Sequence, residues 1–226
     1  LVEVAVVDDS KRLVGVLTID DIVDVIHEEA TEDMQLLAGV GDEEISDSVG
    51  KTVRGRATWL VVNLATAILA SLVIGLFDAT IEQMVALAVL MPIVASMGGN
   101  AGTQTMTVTV RALAMRELDS YKIRRLVVRE VLVGVLNGLI FAVLVGALTW
   151  LRFFDPRLGL VIGLAMVVNM IAAGSAGILI PLALDRLKVD PAVASSVFVT
   201  TVTDVVGFFG FLGLASLWWG VSGTLP

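Results

Sequence analysis

With 226 residues, 57% of them hydrophobic, 21 glycines and a mean hydropathy of +0.92, the chain is far more apolar than soluble domains, which run at about 45–50% with glycine counted. That composition excludes an ordinary soluble domain, because membrane spans of about 20 residues each consume most of the length. The absence of cysteine excludes disulfides, zinc–thiolate centres and thiol nucleophiles, and with a net charge of −8 no nucleic-acid partner is expected.

The chain opens on a strand without Met, so its start is expected to lie further upstream. Leu1–Val7 alternates and runs into the turn Asp8–Arg12, and Leu13–Leu17 reads as the second strand of a hairpin. Thr18 is placed to cap a helix with the apolar stripe Ile19, Ile22, Val23 and Ile26. This piece is too small to hold a core alone and is expected to be the end of a larger α/β module. Residues 1–50 carry 14 Asp and Glu against Lys11 and Arg12. Such a run is usually a solvated face, but like charges at helical spacing repel unless counterions intervene, so divalent cations could bridge Asp20, Asp21, Asp24, Glu28 and Glu29. His27, the one histidine, lies among them and is not expected to be a ligand. Glu43–Arg56, with Ile45, Val49 and Val53 at helical spacing, is predicted to be a polar helix that enters the first span without a loop.

Five spans are predicted, near Ala57–Phe77, Met84–Val110, Val127–Leu151, Gly159–Leu184 and Ala192–Trp219. The second and fifth are long and polar in places, which fits tilted or broken helices beside a cavity. Eleven Lys and Arg precede span one or lie in the second and fourth connections, from Lys51 to Lys188, and only Arg152 and Arg157 lie on the other side. The bias places the N-terminus in the cytoplasm and the C-terminus outside. Trp150, Trp218 and Trp219 then sit at outer span ends, where aromatic belts form.

Asp204 is the only charged residue between Val193 and Trp219. A carboxylate at the centre of a membrane helix costs about 2.5–3.5 kcal/mol, so it faces protein, water or an ion rather than lipid. A buried acid hydrogen-bonded to a threonine is the plain alternative. Ser196, Thr200 and Asp204 recur every four residues, putting three oxygen ligands on one face, with Thr203 alongside and Gly207 opening room a turn later. Oxygen ligands without sulfur or imidazole suit Mg²⁺ or another hard cation. In span two, Gly98 and Gly102 have the GxxxG spacing of helix packing, which leaves Asn100, Gln104 and the upstream Pro92 unexplained. Amide oxygens there could serve a hydrated ion. Asn169, Ser175 and Gly174–Gly177 read as packing residues, and Glu130 as the partner of a neighbouring base. With no His or Cys in the spans and no second acid near Asp204, a membrane hydrolase is not expected, and the chain is not read as an enzyme.

Taken together, LTIDDIVDVIHEEATED, the connecting helix, GGNAGTQT in span two and DPAVASSVFVTTVTDVVGFFGFLGLA in span five make the chain resemble the MgtE family of magnesium channels and transporters, over essentially its whole length. The resemblance implies an all-α membrane fold of five transmembrane helices per subunit. The expected division is residues 1–30 as the end of a CBS domain, 31–56 as acidic linker and plug helix, and 57–226 as the pore domain. It further implies a homodimer in a cell inner membrane, with a pore on the two-fold axis lined by spans two and five. Asp204 matches the pore carboxylate; Asn100, Gly99, Thr200 and Ser196 fall at neighbouring ligand positions. Gly98, Gly102, Thr103, Gln104, Thr203 and Gly207 fall on the pore wall, while Asp20, Asp21, Asp24, Glu28 and Glu29 match the acidic helix that binds Mg²⁺ and favours closure. The implied function is Mg²⁺ movement down its electrochemical gradient, with Mn²⁺, Co²⁺ and Ca²⁺ as further candidate cations. The alternative is an ion-coupled secondary transporter. The family's acidic N-domain and most of its CBS pair are outside this sequence, so nucleotide binding is not assigned.

Overall fold

A computed structural model describes residues 3–40, 43, 46–116 and 120–219, with the side chains of 29, 30, 33, 120 and 194 outside the description. Strands β1 (Glu3–Val7) and β2 (Leu13–Thr18) form the expected antiparallel hairpin, with Glu3 opposite Thr18 and an irregularity between Val6 and Val7. The turn is tied by the Asp8 carboxylate, which accepts from the Arg12 amide at 2.8 Å. The helix α1 (Ile19–Leu37) follows at once, and its entry is a full capping box: the Asp21 amide donates to Thr18 Oγ1, and the Thr18 amide donates back to Asp21 Oδ2 at 2.7 Å. These bonds favour the ionised carboxylate and hold Asp21 below the ordinary aspartate range. A depressed folded pKa contributes stability above the unfolded value that is lost as pH falls through the folded one. The carboxyl ¹³C shift of Asp21 is therefore expected to titrate below the ordinary aspartate range; titration within that range would show that the box does not form in solution.

The linker departs from expectation. A helix over Glu43–Arg56 forms only from Val49, because Ser48 takes the N-cap and accepts from the Lys51 amide, while Ser46–Ser48 are non-helical and Ile45 lies outside the described residues. From there α2 (Val49–Gly75) runs into the first span, followed by α3 (Asp78–Gln83), a short helix the sequence patterns did not predict. The remaining helices are α4 (Ala86–Ala114), α5 (Ser120–Phe153), α6 (Pro156–Arg186) and α7 (Pro191–Trp219). Five of these are long and apolar enough to cross a membrane, in agreement with the predicted spans. Of the two expected forms, tilted or broken, α4 and α7 are not broken: each is continuous over 29 residues. Pro92 sits inside α4 and removes one backbone donor, but the helix carries on past it.

The chain is organised around α6, which packs along α5, α4 and α7. In its most apolar stretch 61% of residues are buried, against 6% in α2, which marks α6 as the centre and α2 as a periphery that meets mainly α7. Asp155 and Pro156 start α6: the carboxylate accepts from the Arg157 amide at 2.8 Å and proline fills the first turn, where its missing N–H costs nothing. Small residues then let the helices close up. A Cβ on Gly159 would lie 2.6 Å from the Gly146 carbonyl oxygen of α5. Side chains of α4, α6 and α7, among them Leu90, Val94, Ile162, Met166, Phe211 and Leu212, make the main core, and a smaller one joins Met106, Val110, Ala192 and Val199 to Leu36 and Leu37 of α1.

Candidate functional site

The hydroxyl-rich face of α7 arises because threonine inside a helix turns its proton back to the preceding turn. Thr200 Oγ1 donates to the Ser196 and Val197 carbonyls at 2.9 and 3.0 Å, Thr201 Oγ1 to Val197, and Thr203 Oγ1 to Thr200. With its proton committed, the half-buried Thr200 hydroxyl presents only lone pairs outward, while Thr203 is buried. Ser196, Thr200 and Asp204 are half-buried, and Asp204 has no hydrogen bond or ion pair among the described residues. Among the described residues no base is paired with it.

On α4 a polar stripe is exposed: Ser96, Asn100, Thr103, Gln104 and Thr107. The Asn100 amide makes a long 3.5 Å contact to Ser96 Oγ and does not pair with Gln104. Glycines bring this stripe against α7. A Cβ on Gly99 would stand 3.9 Å from Thr200 Cγ2, and one on Gly102 only 2.6 Å from Val199 Cγ1 and 3.5 Å from Thr203 Cγ2. The stripe of α4 and the Ser196–Thr200–Asp204 row of α7 are thereby neighbours on one polar face of the bundle.

Within a single chain, Gly98, Gly102, Thr203 and Gly207 are buried on the packed side of these helices rather than on the open face. Ser96 and Thr107 were passed over in the sequence; their spacing from Asn100 and Thr103, four residues in each case, was the available signal. Asn169 was read as a packing residue and does more. It is 1% exposed, donates from Nδ2 to the Val94 carbonyl at 2.8 Å, and leaves Oδ1 buried without a partner among the described residues. An unmet buried acceptor costs about 1–3 kcal/mol.

Glu130 of α5 is also buried. Thr105 Oγ1 donates to its Oε2 at 3.1 Å, and Arg129 stands at 3.7 Å, a looser pair than the expected partnership with a base. Both residues border a cavity of about 190 Å³ with Gln104 and Asn137.

The acidic residues are spread out. Asp20, Asp24 and Glu28 are exposed, Asp21 is engaged in the cap, and the Glu29 side chain lies outside the described residues. Among the described residues no three Asp, Glu, His or Cys side chains gather as a metal site. The end of α1 meets the ends of α4 and α7 through Leu36 and Leu37, and α2 packs against α7 as well. Glu43 instead takes Arg56 in a two-pronged ion pair of 2.7 and 2.8 Å, while its carbonyl accepts from Gln35, clasping the end of α1 to α2.

A family model, MgtE, described as a divalent cation transporter, matches residues 91–214, from α4 through most of α7. The chain is 38% identical over 216 residues to a magnesium transporter MgtE of Thermus thermophilus, covering 94% of this chain and 48% of that protein. Proteins of the same description from Enterococcus faecalis and Bacillus subtilis are 36% and 33% identical over 214 residues, covering 95% and 94% of this chain and 47% and 48% of theirs. The chain thus spans about half the length of the curated relatives it matches.

Proposed function

Because this chain belongs to the MgtE family of divalent cation transporters, we propose that it carries Mg²⁺ down its electrochemical gradient along the polar face of α4 and α7. One observation carries this reading: an unpaired carboxylate and a row of outward lone pairs stand on an open face of five membrane-crossing helices. Lipid does not solvate such a face, so water, an ion or a second protein surface must cover it. A second copy of the chain, its face turned to the first, would enclose a path with Asp204 contributed from both sides. Oxygen donors with room for water suit a cation that dehydrates reluctantly. Asp204, Thr200, Ser196, Asn100 and the Gly99 backbone are the groups in reach of it. Thr103 and Gln104 flank the same stripe, while Gly98, Gly102, Thr203 and Gly207 set how closely the two helices stand.

The membrane is a cell inner membrane with the N-terminus cytoplasmic, the side that carries most of the Lys and Arg. Mg²⁺ at the acidic residues of α1 would regulate passage, since α1 touches the ends of α4 and α7 directly. The buried Glu130, a second membrane carboxylate, keeps an ion-coupled transporter as the competing reading.

Purified chain in liposomes with an inside-negative potential distinguishes them. A divalent ion gains about 4.6 kcal/mol per 100 mV, twice the single-charge value, so Mg²⁺ uptake is expected to rise with the potential and to ignore a pH gradient. Uptake that follows the pH gradient and not the potential would establish coupled transport instead.

A further inference from the structure

The side chain of Asn169 stands between the two helices that carry the polar face. Its amide meets α4 and α7 at one glycine each: a Cβ on Gly98 would fall 2.2 Å from Asn169 Nδ2, and a Cβ on Gly207 2.7 Å from the same nitrogen. Gly98 is two residues before Asn100, and Gly207 three residues past Asp204. The only hydrogen bond from the amide among the described residues runs to the Val94 carbonyl of α4, 75 positions away in sequence, and Oδ1 stays buried and unpaired. A residue kept for stability alone would not be expected to hold an unmet acceptor in an apolar core.

We propose that Asn169 is a positioning residue for cation passage: wedged between Gly98 and Gly207, it sets the separation and rotation of α4 and α7 and so the geometry of the Asn100 and Asp204 groups, without touching the ion. The inference rests on the α4–α7 face being the cation path. Its bond to Val94 fixes one side of the wedge, and the unpaired oxygen leaves the contact with α7 steric, so that α7 can shift against the amide without breaking a hydrogen bond.

The test uses the full chain in liposomes with Asn169→Leu, Gly98→Ala and the Gly98→Ala/Asn169→Ser pair. Asn169→Leu removes the bond and the unmet acceptor together and puts a bulkier side chain in the wedge, so Mg²⁺ flux per folded protein is expected to fall by about tenfold, the scale of a coupled contact pair, and the Mg²⁺:Ca²⁺ flux ratio to shift. Gly98→Ala is expected to cut flux to a similar degree, and the shorter serine in the double variant to restore it by admitting the new methyl group. A lower melting temperature with flux and ratio unchanged, or flux in the double variant no higher than in Gly98→Ala alone, would overturn the proposal. Because the chain has no cysteine, spin labels at the exposed Val89 and Phe209 report the α4–α7 spacing even if the wild type carries no cation. Silence of the wild type defeats the transport reading, whereas an unchanged label distance in Asn169→Leu defeats the wedge.

Discussion

Replacing Asp204 by asparagine is expected to cut Mg²⁺ flux by at least tenfold while leaving the amount of folded protein and its melting temperature nearly unchanged. The side chain is half-buried at the centre of α7 with no hydrogen bond or ion pair among the described residues, so asparagine of the same shape breaks no contact. What it removes is charge. Two unit charges roughly 4 Å apart attract by about 4 kcal/mol at an effective dielectric constant near 20. A divalent ion doubles that figure, and an intervening water shell brings it down again. Even a third of the single-charge value is close to the ~1.4 kcal/mol that changes occupancy tenfold. Uptake into liposomes, normalised to folded protein, measures the effect. Equal flux in the two proteins would move the central ligand to the Asn100 stripe of α4; a collapse in melting temperature would make Asp204 a structural acid.

Gly159→Leu is expected to lower the melting temperature by several degrees and to reduce the yield of folded protein. At this crossing of α5 and α6 the obstacle is backbone, since the Gly146 carbonyl oxygen stands 2.6 Å from where the new Cβ would lie. A flexible side chain could turn away, but a helix backbone must be pushed off bodily. Overpacking costs about 1–3 kcal/mol, and each kcal/mol moves the melting temperature of a chain this size by roughly 2–4 °C. Because α6 is the element on which α4, α5 and α7 all rest, the separation is felt through the whole bundle. Gly55→Ala is the control: nothing lies within 4 Å of a Cβ there, and alanine favours helix over glycine. Thermal unfolding followed in detergent micelles compares them. An unchanged melting point for Gly159→Leu would show that α5 and α6 are not held this closely in the membrane.

The cap at Thr18, the five spans and the hairpin were legible because each depends on residues close in sequence. The linker was misread for a related reason: Val49 and Val53 at helical spacing extend a pattern backward past Ser48, whose own preference for the N-cap ends the helix. Pro92 and the polar residues of span two suggested a tilted or broken helix, and α4, packed on α6 and α7, is unbroken. The polar rows on α7 and α4 could be read from four-residue spacing, which is how Ser196, Thr200 and Asp204 were grouped. The same spacing does not say which neighbouring glycines turn inward.

Hydropathy, charge bias and capping by themselves determined that this is a five-span membrane protein with one isolated carboxylate in its last span, since each residue's preference for lipid, water or a helix end is a local property. Only the tertiary structure decided how each helix is turned about its axis: Asn100 and Thr103 outward, Gly98, Gly102 and Gly207 inward, and Asn169 between two of those glycines. In lipid the hydrophobic effect does not set that rotation, because lipid and core are equally apolar. It is settled by close packing and hydrogen bonds between residues as far apart as Val94 and Asn169, and no local pattern encodes which distant partner a small residue will meet.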